Sequence, residues 1–92
     1  MPILSNEEIH QNLKHLPNWK LVQGEIVREA SFKDFLTAMS FVNQVAAKAE
    51  AANHHPDIDI RYNKVRLALV SHDAGGITER DFALAAAIEI PL

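Results

Sequence analysis

Two adjacent imidazoles, His54 and His55, sit in the run Asn53-His54-His55-Pro56-Asp57 and mark where this chain could move protons. An imidazole titrates near neutral pH, so a pair can both give and take a proton under ordinary conditions. Pro56 disfavours helical backbone at His55, so a helix ending here would turn between the two rings and could aim both at one cleft. Glu50 lies four residues before His54, and a last helical turn reaching His54 would put the two on one face. A carboxylate there would orient the ring and favour its protonated form. The competing reading is a surface turn in which the histidines replace commoner polar residues.

His72 precedes Asp73-Ala74-Gly75-Gly76. If the intervening chain is a hairpin with arms of similar length, His72 returns to the edge where His54 and His55 begin. Asp81, shortly after the glycines, could lie near them, although its spacing from Thr78 also suits a helix cap. For His72 the plain alternative is a strand end with a local hydrogen bond, and for Trp19 it is core packing. His10 and His15 read as exposed surface. Three histidines could ligate zinc, but His54-His55 lacks the i, i+4 placement of a helical ligand pair, so no metal is expected. No Gly-x-Ser-x-Gly elbow is present, so Ser71 beside His72 does not read as a triad nucleophile.

Three helices and four strands would position these residues. Ser5 and Glu8 form a capping box, followed by Ile9, Leu13 and Leu16 at helical spacing. A long helix is expected over 31–53, capped by Ser31, with Phe35, Met39, Val42, Ala46 and Ala49 as its apolar stripe. A third starts at Thr78, with Asp81 completing its capping box. Strands are expected over 19–22 and 25–30 around Gln23-Gly24, and over 58–62 and 65–71 around Asn63-Lys64. The order is helix-strand-strand-helix-strand-strand-helix. It predicts an α+β domain spanning residues 1–92, a four-stranded antiparallel sheet with three helices packed on one face.

Composition narrows the function further. Hydrophobic residues make up 48% of the 92, which fits a folded globule with a thin core that favours oligomers. Cysteine is absent, which removes disulfides, thiolate metal sites and a thiol nucleophile. The net charge is −3 and the cations are scattered, so direct nucleic-acid binding is not expected. No apolar run approaches the roughly 20 residues of a membrane helix, and residues 1–7 lack the features of a signal peptide. A cytoplasmic protein is expected.

Taken together, Glu50-Ala51-Ala52-Asn53-His54-His55-Pro56-Asp57, Tyr62-Asn63-Lys64-Val65, Ser71-His72 and Gly76-Ile77-Thr78-Glu79-Arg80-Asp81 resemble the pterin-4a-carbinolamine dehydratases. Phe32-Lys33-Asp34-Phe35 and Leu16-Pro17-Asn18-Trp19 are similar to that family too, so the resemblance covers nearly the whole chain. It implies a hydro-lyase that removes water from 4a-hydroxytetrahydrobiopterin to give quinonoid dihydropterin. That step recycles the cofactor of aromatic amino acid hydroxylases and needs no metal or organic cofactor. The resemblance puts catalytic histidines at His54, His55 and His72. His54, oriented by Glu50, would assist proton removal or hold the pterin, and the other two would handle the 4a-hydroxyl. Pterin contacts would fall on His54, His55 and Pro56 and on Ser71, His72, Asp73 and Ala74, largely through backbone, with Asp81 and Trp19 near the pocket. Two departures alter the expected pocket: Ile58 where many members carry an aromatic, and Val70 where many carry Ser or Thr. Sheet edges left open by the two hairpins invite pairing between subunits, so a homodimer or homotetramer is expected. Alternative readings are a dimerisation module acting as a protein cofactor, as animal members do for a transcription factor, or a protein handling another reduced pterin.

Overall fold

Capping chemistry sets where each helix begins. The computed structural model describes residues 2–90. Ser5 opens helix α1 (Asn6–Leu13): the Glu8 N–H donates to Ser5 Oγ (3.1 Å) and the Ser5 N–H to Glu8 Oε1 (2.8 Å). Thr78 opens helix α3 (Glu79–Glu89) with the expected box to Asp81. Helix α2 (Phe35–Ala52) starts later than expected, because Ser31 is the last residue of a strand and pairs with Lys64. Asp34 takes the cap instead, accepting from the Thr37 N–H at 2.8 Å.

Between the helices run strands β1 (Trp19–Val22), β2 (Glu25–Ser31), β3 (Asp57–Arg61) and β4 (Lys64–Leu69). The described residues therefore form an α+β fold with three helices over one antiparallel sheet of order β1-β2-β4-β3. The first hairpin turns at Gln23-Gly24, both with positive φ (48° and 81°), the left-handed geometry that two-residue hairpin loops require. The second turns at Tyr62-Asn63, one residue earlier than expected. Asn63 explains the shift: its backbone and side-chain groups both bond Phe32, through Phe32 N–H to Asn63 O (2.9 Å) and Asn63 Nδ2 to Phe32 O (2.7 Å). The turn is thus fastened to the end of β2, and Lys64 is free to pair with Arg61.

Alternation along β4 settles which face is covered. Val65, Leu67 and Leu69 join one core cluster with Ile9 of α1, Val42 and Val45 of α2, and Phe82, Leu84 and Ile88 of α3. Lys64 and Arg66 point the other way and are exposed. On α2 the buried positions are Ala38, Val42, Val45 and Ala49. The expected stripe is corrected in part: Ala46 is exposed and Phe35 is 44% exposed. Apolar residues line several faces of this alanine-rich helix, so spacing alone left its rotation open. Packing on β4 and α3 decides it. The edge strand β3 is exposed throughout, including Ile58 and Ile60 on the helix-facing side. No helix among the described residues is long and apolar enough to cross a membrane.

Candidate active site

Asn53 ends α2 and redirects the chain into the site. Its φ of 50° is left-handed, a conformation that asparagine tolerates better than most side chains. The following N–H, that of His54, bonds back to Ala49 O (3.1 Å) and closes the helix end. His54 thereby leaves the helical face and turns inward, while His55 turns back over the last turn of α2. His54 Nε2 meets Asp81 Oδ1 at 2.6 Å, and His55 Nε2 meets Glu50 Oε2 at 2.5 Å. The expected Glu50–His54 pairing is therefore corrected: Glu50 serves His55, because the helix stops before His54 could share its face.

The segment after β4 supplies the other wall. Ser71 and Gly76 bridge through two backbone bonds, Ser71 N–H to Gly76 O (3.0 Å) and Gly76 N–H to Ser71 O (3.3 Å). Gly75 closes the loop at φ 82°. This loop presents His72 and Asp73 to solvent and turns Ser71 and Thr78 inward. His54, His55, His72 and Asp73, with Asn53, Val70 and Arg80, line a cleft of about 350 Å³. A larger hollow of about 500 Å³ lies on the sheet, lined by Glu29, Asp59, Arg61, Lys64 and Arg66 among others, but it holds no imidazole. Of these two hollows, only the cleft is lined by groups that can exchange protons near neutral pH.

The two carboxylate–imidazole pairs differ in their surroundings. His54 is 10% exposed and Asp81 fully buried, whereas His55 and Glu50 are 56% and 78% exposed. The buried pair holds its geometry; the exposed pair is free to move and is screened by water. Asp81 Oδ2 also accepts from Ser71 Oγ and from the Thr78 N–H, both at 2.9 Å. The Asp81 carboxylate only accepts, so a neutral His54 gives it the Nε2 proton and has Nδ1 as the ring's acceptor. At the rim, Arg80 Nη2 bonds Asp73 Oδ1 at 2.5 Å, and Arg80 Nε is buried with no partner among the described residues. The Arg80 guanidinium holds the Asp73 carboxyl below the usual carboxylate range. A depressed acid stays ionised above its lowered pKa and loses the pairing as pH falls through that value, so both partners are charged at neutral pH, and at this exposure the pair adds little to stability.

Residues 2–90 match the family model described as Pterin 4 alpha carbinolamine dehydratase. The chain belongs to the pterin-4-alpha-carbinolamine dehydratase family. Two relatives, each named "Putative pterin-4-alpha-carbinolamine dehydratase", come from Acidobacterium capsulatum and Chloroflexus aurantiacus. The first is 64% identical over 97% of both chains, and the second 61% identical over 97% of this chain and 96% of the relative. A crystal structure of a transcriptional coactivator/pterin dehydratase from Brucella melitensis superposes with a TM-score of 0.89 at 36% identity, covering 94% of each chain. A pterin dehydratase-like protein described as a RuBisCO assembly factor in the alpha-carboxysome shares the fold, with a TM-score of 0.61 at 21% identity over 76% of this chain and 81% of its own.

In this dehydratase-family chain the residues singled out from sequence fall into separate places. His54, His55, His72 and Asp73 reach the cleft; Pro56 and Ala74 are half-buried and do not line it. Ser71 and Asp81 have no exposed surface and stand behind His54, so their side chains cannot touch a ligand as placed. Trp19 lies elsewhere: its indole N–H donates to Glu89 Oε1 (3.1 Å), which also accepts from Asn18 and Arg28. At a helical rise of 1.5 Å per residue, Glu89 is about 12 Å along α3 from Asp81. Sequence reasoning passed over Asn53 and Arg80 as site residues. An asparagine after an alanine-rich helix is a signal for a left-handed cap. Arg80 carried no signal of its own beyond its place beside Asp81.

Replacing Arg80 by Gln tests the rim. Carbon-13 titration of Asp73 in R80Q is expected to move up toward an ordinary aspartate. An unchanged titration contradicts the assigned cause.

Proposed function

We propose that this chain dehydrates a 4a-hydroxytetrahydropterin to the quinonoid dihydropterin, recycling the cofactor of an aromatic amino acid hydroxylase in the cytoplasm. Three imidazoles at one cleft, one of them anchored by a buried carboxylate, are the observation that carries this reading. The family membership supports it. In the reaction the C4a–O bond breaks as a proton joins the leaving hydroxyl to form water, and a ring nitrogen gives up a proton to complete the quinonoid system. One group must therefore donate and another accept, which imidazoles do well near neutral pH. Proton removal is assigned to His54 through Nδ1. The hydroxyl is assigned to His55 and His72, one of them as general acid. Arg80 brings spare N–H donors to the rim for the carbonyl or ring nitrogens of a pterin.

A homodimer belongs to the same reading. Strand β3 is an edge with its backbone unpaired on one side, and Ile58 and Ile60 are 38% and 37% exposed. Edges of this kind invite pairing. An antiparallel partner centred on Ile60 would set Asp59 opposite Arg61 of a second copy and Ile60 against Ile60, matching charge and covering apolar surface.

Two measurements check these proposals. Water loss from a 4a-hydroxytetrahydropterin generated in situ should be accelerated by the wild type with or without chelator. It should fall by about 10²–10⁴ in His54→Ala, His55→Ala and His72→Ala measured separately, the size of general acid–base roles. Undiminished turnover in all three would sink the site, and loss with chelator would point to a metal. Light scattering should give the wild type a mass above the 10.3 kDa of one chain, with Ile60→Lys reduced to one chain; a wild type at one-chain mass contradicts the dimer.

A further inference from the structure

We infer that Ser71, with Thr78 behind it, is a positioning residue that fixes the tautomer of His54 through Asp81. The inference rests on the dehydration proposed above for its effect on rate, but not for its effect on the ring. Ser71, Thr78 and Asp81 each have no exposed surface, so whatever they do for a reaction they do through another group. The direction of each hydrogen bond follows from the inventory of donors. A carboxylate accepts only, so the one Ser71 hydroxyl proton goes to Asp81 Oδ2 at 2.9 Å. The 2.8 Å contact between Ser71 Oγ and Thr78 Oγ1 must then be Thr78 donating to Ser71. Thr78 Oγ1 in turn accepts from the Arg80 N–H at 3.3 Å.

The chain of donors therefore runs from the first turn of α3 through Thr78 and Ser71 to Asp81 Oδ2, while Oδ1 is left for His54 Nε2 at 2.6 Å. Each bond in such a series polarises the next. Without the Ser71 hydroxyl, Oδ2 keeps only the Thr78 N–H, and a buried carboxylate short of a donor can rotate or shift to recover one. Either movement loosens the bond to His54 Nε2 and lets the proton occupy Nδ1, the atom assigned to proton removal. Ser71 is thus read as part of the support for the ring and not as a contact for the pterin.

The test compares Ser71→Ala with Ser71→Thr, which restores the hydroxyl. Nitrogen-15 spectra of the histidine rings, recorded without substrate, should show His54 as the Nε2–H tautomer in the wild type, a tautomer mixture in S71A, and the wild-type form in S71T. In the dehydration assay kcat of S71A should fall about 10-fold with KM changed less than about 2-fold, since the lost bond is to a charged group and touches no substrate. S71T should recover kcat. Unaltered His54 ring shifts in S71A overturn the inference, as does a change confined to KM. Should S71A fail to fold, Thr78→Val removes the hydroxyl that donates to Ser71, and unaltered His54 shifts there overturn it equally. A wild type with the expected ring spectrum and no turnover would instead refute the proposed reaction and leave the positioning role standing.

Discussion

A carboxylate taken wholly out of water must be met by donors, and Asp81 meets that constraint with three elements at once. His54 comes from the end of α2, Ser71 from the end of the sheet, and the Thr78 N–H from the cap of α3. Leaving such a group unsatisfied costs several kcal/mol on the scale of about 1–3 kcal/mol for each missing bond to a neutral group. The same contacts that make Asp81 tolerable in the interior therefore fix the relative placement of the three segments that build the cleft. The geometry of the cleft and the start of α3 share one set of hydrogen bonds.

Helix α3 is held at its other end by a different cluster. Glu89 Oε1 accepts from Asn18, Trp19 and Arg28, and Lys48 reaches from α2 to the carbonyls of Ala87 and Ile90. Arg28 also lies over the Phe41 ring, 5.2 Å from its centroid. Trp19 belongs to this anchor. Its contribution to the cleft is indirect, through the position of α3. The cleft itself divides labour between a buried, fixed imidazole at His54 and a solvent-facing pair at His55 and Glu50. Such a division gives one ring a set orientation and leaves the other able to follow a ligand.

Much of this was legible in the chain. Both capping boxes announced themselves in Ser5–Glu8 and Thr78–Asp81, because the pattern depends only on neighbours three residues apart. The order of helices and strands along the chain was equally readable from hairpin turns and alternation. Where reading failed, a distant partner decided. Ser31 looks like a helix cap until Lys64 pairs with it. The rotation of α2 depends on what it packs against. Glu50 seemed to belong to His54 because four residues make a helical turn, but Asn53 breaks the helix one residue too soon. Asp81 read as a cap or a site residue, and it is a cap whose second oxygen holds a histidine from 27 positions earlier. Local spacing cannot reveal that double use.

Asp81→Asn tests the central claim most directly. The amide keeps the size of the carboxylate but offers a donor where only acceptors fit, so it cannot hold His54 Nε2–H and receive Ser71 and Thr78 together. With near-UV circular dichroism confirming the native fold, dehydration of a 4a-hydroxytetrahydropterin is expected to fall by about 10²–10⁴, the scale of losing a correctly oriented acid–base group. A folded D81N protein that turns over at the wild-type rate would contradict the account.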